Sequence, residues 1–310
     1  MLRNLPSSNT GTRMARMMMT PPMDGTPIFF TPNGSMLAST NHPARAINQK
    51  GLAQSKLRRK GIGLTVSVHP LWVFFYAKFM ERYSIIHEKN SREIVLLRGS
   101  GCVYTKCTFC DYYSDSCKNE EENFRLNSKV LENVTGIFQN LEVINSGSVF
   151  ELDKNTVELI KKVCKQKNIH TIHFESHYLY NNRIADLRKE FSDFTLKMKL
   201  GLETFDYDFR ENVLKKGIKE KSPEKISENF DEANFLFGIK GQTIESIKND
   251  IELGLKYFER ICINIMCENS TDVKPDRELI QAFVKEIYPI YKDNDRADIL
   301  INNTDFGVGD

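Results

Sequence analysis

The chain has 310 residues, and its 43 basic and 41 acidic side chains give a net charge of +2 at neutral pH. A chain of this length is long enough for one or two globular domains. Its seven cysteines are an odd number in a chain without a secretory signal. They indicate a reducing compartment rather than a secreted protein, and we expect a cytoplasmic location.

Residues 1–79 differ in composition from the rest of the chain. They contain ten Lys or Arg but one acidic residue, Asp24, together with seven of the ten Met and seven of the ten Pro. This composition superficially suits an organelle transit peptide. The apolar run at 70–77 is too short to span a bilayer. Because no periodic pattern is sustained here, we interpret 1–79 as a disordered or non-native basic leader and 80–310 as the folded domain.

Beyond the leader, short apolar runs alternate with amphipathic stretches. Strands are predicted at 94–97, 141–145, 171–175, 197–203, 233–238, 261–267 and 298–302. Helices are predicted at 129–139, 156–167, 184–191, 209–216, 243–258 and 277–291. This alternation indicates βα units around a parallel sheet. Six such units and a last strand favour an α/β fold, a partial (β/α)6 TIM-like barrel, over a small doubly wound sheet.

Three cysteines, Cys102, Cys107 and Cys110, share one short loop after the first predicted strand. A plant-type [2Fe–2S] ferredoxin uses the same spacing, but the next cysteines, Cys117 and Cys164, do not suit that fold. A structural zinc site could use the three together with Cys117. Alternatively, three thiolates can hold three irons of a [4Fe–4S] cluster and leave the fourth iron open. The spacing alone does not decide between zinc and the cluster.

Three motifs in chain order resemble the radical S-adenosylmethionine (SAM) superfamily. They are Cys-x-Phe-Cys at 107–110, Gly-x-Glu-Thr at 201–204 with a later Lys-Gly at 216–217, and Gly-x-x-Gly-Gln-Thr-x-Glu-Ser at 238–246. The chain departs from the usual pattern in its C-x4-C spacing and in Asn-Ser-Gly-Ser at 145–148, where Gly-Gly-Glu is usual. The resemblance implies a [4Fe–4S] cluster on the three loop cysteines, SAM as cofactor, and a flavodoxin- or ferredoxin-type electron donor.

The same resemblance implies where SAM binds. Phe109 is expected against the adenine, Ser146 and Gly147 near the amino group, and Glu203 near the ribose or methionyl part. A glycine beside the adenine edge lets the backbone approach the ligand without a Cβ clash. The complete predicted set is Phe109, Asn145, Ser146, Gly147, Glu203, Gly238 and Gly241.

Within the superfamily, the core is similar to the small queuosine-lyase type. Gly-Ser-Gly-Cys at 99–102, Glu-Thr-Phe-Asp at 203–206 and Asn-Thr-Asp-Phe-Gly at 303–307 are among the segments that carry this resemblance. It implies a lyase that cleaves the glycosidic C–N bond of queuosine 5′-phosphate and releases queuine. Residues 80–310 carry 33 basic and 40 acidic side chains, which argues against a polyanion such as tRNA. We therefore expect a small nucleoside or nucleotide substrate, with neither a nucleic acid polymer nor a membrane as partner.

Polar residues are concentrated at the carboxyl ends of the predicted strands, where parallel folds place their chemistry. Glu175, His177, Glu268 and Asp305 are the predicted substrate-binding residues, because carboxylates form charge-assisted hydrogen bonds with an amine-bearing ligand. His177 and Glu175 are also the predicted catalytic residues, with His177 as proton donor to a departing base. Two alternatives remain: a radical SAM enzyme acting on another small metabolite, and a zinc-stabilised domain without catalytic activity.

Overall fold

The computed structural model describes residues 82–301. The leader predicted at 1–79, the predicted domain start at residue 80 and Asp305 all lie outside these residues. Within the described part, no helix is long and apolar enough to cross a membrane.

An eight-stranded sheet runs through the described part of the chain. Its strands are β1 (Tyr83–Ile86), β2 (Arg92–Leu97), β3 (Asn140–Asn145), β4 (Thr171–Ser176), β5 (Thr195–Glu203), β6 (Glu232–Phe237), β7 (Arg260–Ile265) and β8 (Ala297–Leu300). They pair in sequential order, with β1 antiparallel to β2 and every later pair parallel. The sheet curls into a half-barrel accompanied by helices, which confirms the predicted α/β partial barrel. Strand β1 was not predicted, because its four residues, Tyr-Ser-Ile-Ile, show no alternation of apolar and polar side chains. In the structure all four are half-buried.

Seven α-helices occur between residues 82 and 301. They are α1 (Glu120–Leu131), α2 (Lys154–Gln166), α3 (Ile184–Glu190), α4 (Pro223–Ser227), α5 (Ile244–Tyr257), α6 (Arg277–Glu286) and α7 (Tyr288–Tyr291). Helix α1 begins nine residues before its predicted start, because the Asn119 side chain accepts a hydrogen bond from Glu122 N and caps it. Pro289 lacks the N–H that would continue α6, so the predicted helix at 277–291 is divided.

The hydrophobic core lies between the sheet and the helices. Successive strand side chains point to opposite faces of the sheet. Phe174, Met198 and Leu200 face the helices and are fully buried. The opposite face of the same region carries Glu175 and Lys199, which line a cavity. A closed barrel fills its interior with branched apolar side chains. Here the interior is polar and open, which suits a polar ligand.

Candidate active site

A cavity of about 1620 Å³ occupies the inside of the half-barrel and reaches the carboxyl ends of the strands. The cysteine loop, the turn after β3, the ends of β4 and β5 and the loop after β7 all contribute to its wall. Two of these segments are joined across the cavity mouth. Asn269 Nδ2 donates to Phe109 O at 2.7 Å, and Ser270 N and Oγ both donate to Asp111 Oδ2 at 3.1 Å. These hydrogen bonds hold the cysteine loop against the loop after β7.

The three predicted cluster ligands, Cys102, Cys107 and Cys110, all line this cavity. A backbone hydrogen bond from Thr108 N to Leu214 O, at 3.1 Å, ties their loop to the segment after β5. Cys117 is not among the cavity-lining residues, and its Sγ lies 3.7 Å from Glu122 Oε2 on α1. The loop therefore separates three thiols that share one space from a fourth that does not.

The donor set fits a [4Fe–4S] cluster. Burial raises the pKa of Cys107 to about 12 and also raises that of Cys110, while the Lys216 ammonium opposes both shifts. A buried thiolate therefore needs further positive charge beside it, as a bound metal centre supplies. No three His, Cys, Asp or Glu side chains within residues 82–301 are close enough together to hold a single metal ion.

Glu151 joins the cysteine loop to the turn after β3, a role that the sequence analysis did not predict. Its Oε1 accepts hydrogen bonds from Val103 N at 2.7 Å and from Tyr180 Oη at 3.0 Å, and its Oε2 accepts from Ser148 N at 2.6 Å. Ser148 and Glu151 form a capping box, and this three-residue spacing was the available sequence signal. The carboxylate fixes the position of Cys102 relative to β3.

The predicted SAM residues of the β3 turn lie on the cavity wall. A Cβ at Gly147 would come within 2.0 Å of Glu151 Oε2, so a larger residue there would displace that carboxylate. Ser146 Oγ accepts a 3.4 Å hydrogen bond from Gly99 N. Asn145 Nδ2 donates to Ser148 O, while its buried Oδ1 has no hydrogen-bond partner among the described residues.

Glu203 and Lys216 form a buried ion pair beside the cysteines. Lys216 Nζ lies 2.8 Å from Glu203 Oε1 and 5.4 Å from the centre of the Phe109 ring. Burial alone would lower the pKa of Lys216, but the Glu203 carboxylate and the thiols raise it well above its usual value. Glu203 has a φ of 72° next to a register shift in β5, which turns its carboxylate toward the cavity. Lys216 was missed as a site residue although its Lys-Gly motif was noted.

His177 lies on the cavity wall with both ring nitrogens hydrogen-bonded to the backbone. Nδ1 accepts from Leu179 N at 3.1 Å, and Nε2 lies 2.9 Å from Lys216 O, which can only accept. The ring also stacks on Tyr104 with centroids 4.5 Å apart. Burial and the nearby Lys216 charge lower the pKa of His177 to about 4. The neutral, fully bonded ring is therefore not placed to give a proton to a ligand.

The remaining predicted residues fall in different places. Gly238 and Gly241 have φ values of 87° and 102° and form the turn after β6. A Cβ at Gly238 would lie 2.5 Å from Ile280 Cγ1 on α6, and neither glycine is among the described residues that line the cavity. Glu268 is on the cavity rim, exposed, with Lys274 Nζ at 3.6 Å. Glu175 lines the cavity interior.

The half-barrel with three cysteines at the carboxyl ends of its strands defines a radical SAM enzyme. No family model matches the chain, and no curated protein matches it. A solved structure of queuine lyase from Clostridium spiroforme, bound to SAM and queuine, is 47% identical to it with a TM-score of 0.71. The match covers 74% of this chain and 99% of that chain. The chain therefore belongs to the queuine lyase family of radical SAM enzymes, which use a [4Fe–4S] cluster and SAM.

Proposed function

We propose that this chain cleaves the glycosidic C–N bond of queuosine 5′-phosphate and releases queuine. The observation that carries the proposal is the 47% identity to a queuine lyase bound to SAM and queuine, a match that covers 99% of the queuine lyase chain. The cavity adds support, because its wall brings three thiols, a buried ion pair and a polar interior into one space. A concave site of this size with a few convergent polar groups suits a small nucleotide substrate.

Cys102, Cys107 and Cys110 would hold the cluster. When bound, the cluster and SAM would supply radical chemistry that abstracts hydrogen from the substrate, and the protein would supply position and a dry environment. The electron would come from a flavodoxin- or ferredoxin-type donor. Glu151 would hold the cysteine loop in a fixed position relative to the β3 turn. This matters because a small displacement of a reacting group lowers the reaction rate strongly.

The SAM-binding residues proposed from the resemblance are consistent with this cavity in most cases. Phe109, Asn145, Ser146, Gly147 and Glu203 line it. To these we add Lys216, because its ammonium can pair with a ligand carboxylate while Glu203 accepts from hydroxyl or ammonium groups. Gly238 and Gly241 would contribute to SAM binding indirectly, because they allow the conformation of the turn after β6.

The geometry supports a different proposed role for His177 and the same one for Glu175. His177 is proposed as a positioning residue, since its Nε2 holds the carbonyl of Lys216 and its Nδ1 holds the following turn. Glu175 remains a proposed substrate contact in the interior. Glu268 remains a proposed contact at the rim, and the proposal for Asp305 falls outside the described residues.

The test is anaerobic reconstitution of the cluster, then incubation with SAM, dithionite and queuosine 5′-phosphate. We expect queuine and 5′-deoxyadenosine to form together, measured by liquid chromatography and mass spectrometry. Formation of 5′-deoxyadenosine without queuine would point to another small metabolite as substrate. Failure to take up iron and sulfide, with retention of zinc instead, would support the zinc-stabilised domain.

A further inference from the structure

The floor of the cavity is formed by charged side chains from neighbouring strands. Arg92 of β2, Glu142 of β3, Glu175 of β4 and Lys199 of β5 all point inward and line it. Lys199 is almost completely buried, with 2% of its side chain exposed, while Glu175 keeps 25% exposed to the cavity. Charges this deep remain only where they are paired or meet a ligand.

Glu142 is fully occupied by protein partners. Its two oxygens pair with Lys199 and with Arg92, and Arg260 Nη2 lies 3.7 Å away. Although burial opposes ionisation, these three cations hold the pKa of Glu142 well below its usual range. Arg92 and Arg260 are in turn paired with Asp298 at 3.3 and 2.9 Å. Arg92, Glu142, Arg260 and Asp298 therefore form a structural lower layer, whose charges are balanced within the protein and not available to a ligand.

Glu175 and Lys199, just above it, are only partly occupied. Glu175 Oε1 accepts from Asn234 Nδ2 at 2.8 Å and lies 3.8 Å from Lys199 Nζ. Among the described residues, no hydrogen bond or ion pair engages Glu175 Oε2. An ammonium has three donors, and contacts within the described part engage Lys199 through Glu142 and Glu175 alone. The floor thus presents acceptors and a donor next to one another.

We propose that Glu175 and Lys199 determine base specificity by binding the edge of a fused pyrimidine that carries a carbonyl, a ring N–H and an exocyclic amine in a row. The carboxylate accepts from the ring N–H and the amine, and the ammonium donates to the carbonyl. Asn234 acts as a positioning residue that orients the carboxylate. This inference rests on the proposed function, whose substrate contains a 2-amino-4-oxo base of this kind.

The charge pattern favours a neutral base edge over a cationic amine at this position. An ammonium ligand bound to Glu175 would be close to Lys199, and like charges in a buried site repel strongly. A neutral edge with one acceptor and two donors satisfies both protein groups without adding charge. A site built to hydrogen-bond an N–H rejects an analogue that lacks it, because its buried polar groups are left unpaired.

The experiment is anaerobic calorimetric titration of the reconstituted full chain, with SAM present, using 7-deazaguanine and 7-deazahypoxanthine as probes. The second base lacks the exocyclic amine. We expect the wild type to bind 7-deazaguanine about 10–100-fold more tightly, as one lost charged hydrogen bond predicts. In Glu175→Gln this difference in affinity should fall to about threefold or less. Glu175→Asp keeps the negative charge but places it farther from the ligand, so its difference in affinity should be intermediate.

Glu158→Gln on the exposed face of α2 is the matched control and should keep the wild-type difference. Equal binding of the two bases by the wild type, or an unchanged difference in both Glu175 variants, would overturn the inference. If Glu175→Gln does not fold, as judged by circular dichroism, Glu175→Asp decides. The proposed function is tested separately by queuine release, so a protein that discriminates between the bases without releasing queuine would contradict only the proposed function.

Discussion

At the scale of single residues, the site combines thiols with buried charges that compensate one another. Lys216 is electrostatically coupled to both Cys107 and Cys110, and its own charge is balanced by Glu203. Removal of one member of a buried pair leaves the other uncompensated, which costs more than the pair itself contributes. Substitutions here should therefore lower the stability of the protein as well as change ligand binding.

The cysteines give the first prediction at this scale. Cys107→Ser should abolish uptake of a [4Fe–4S] cluster, whereas Cys117→Ser should keep it, because only Cys107 lines the cavity. Iron and sulfide content and the absorbance bleached by dithionite measure the outcome after anaerobic reconstitution. Equal loss in both variants would show that Cys117 is a ligand and would favour the zinc interpretation.

Glu203 gives the second prediction. Glu203→Gln should weaken SAM binding by about 10–100-fold, the effect of losing a charge-assisted contact, while iron content stays unchanged. Calorimetric titration of the reconstituted protein with SAM measures it. Glu245→Gln, an exposed carboxylate in the first turn of α5, is the control. If SAM affinity does not change in Glu203→Gln, the carboxylate serves only to neutralise Lys216.

At the scale of elements, helix α5 supports the site through Asp250. Its carboxylate accepts from Thr204 Oγ1 at 2.6 Å and from Phe205 N at 2.8 Å, directly after Glu203. Burial raises the pKa of Asp250 to about 6, although both hydrogen bonds oppose the shift. The helix therefore fixes the end of β5 at the cost of a buried charge.

This shift predicts a pH dependence of stability. Between pH 4 and 6 the folded state binds a proton on Asp250 that the unfolded state has released. The contribution of Asp250 to the free energy of unfolding therefore decreases as the pH rises through this window. The difference between this pKa and that of an ordinary Asp corresponds to about 3 kcal/mol of unfolding free energy at most. Urea unfolding of wild type and Asp250→Asn at pH 4, 5, 6 and 7 measures the difference. Parallel stability curves would show that Asp250 does not titrate in this window.

At the scale of the whole molecule, the half-barrel is held together across its lower end. Lys89 Nζ donates to Lys292 O at 2.9 Å, and Asn90 Nδ2 donates to Asp298 Oδ1 at 2.8 Å. The turn between β1 and β2 thereby reaches β8, at the other edge of the sheet. Asp298 also pairs with Arg92 and Arg260, so it links β8 to the buried charges of the interior.

Asp298→Asn should therefore destabilise the fold strongly. It removes the negative charge shared by two buried arginines, a change that typically costs about 3–5 kcal/mol. Asp193→Asn, which removes an exposed partner of Lys165, should change the stability far less, because solvent screens that pair. Chemical unfolding at pH 7 compares the two. Similar small losses of unfolding free energy in both variants would show that solvent or a repacked interior compensates the charges of the two arginines.

Local patterns, together with the resemblance to the radical SAM motifs, predicted the half-barrel and the position of its chemistry. Strand–helix alternation predicted seven of the eight strands, because apolar runs bounded by polar turns reflect burial directly. The loop of Cys102, Cys107 and Cys110 could be predicted as a candidate cluster site because its three cysteines are close in sequence. Phe109, Ser146 and Gly147 were predicted from motifs on the same loops, and the structure places them on the cavity wall.

Contacts between distant residues could be decided only by the tertiary structure. Glu203 and Lys216 meet across a bulge, Glu151 reaches Val103 from another loop, and Glu175 comes to lie beside Lys199 through strand pairing. His177 looked like a free proton donor, but its two backbone hydrogen bonds depend on the fold. Sequence by itself determined which groups stand at the carboxyl ends of the strands. Which of them are free to bind a ligand depends on partners that only folding brings within hydrogen-bond distance.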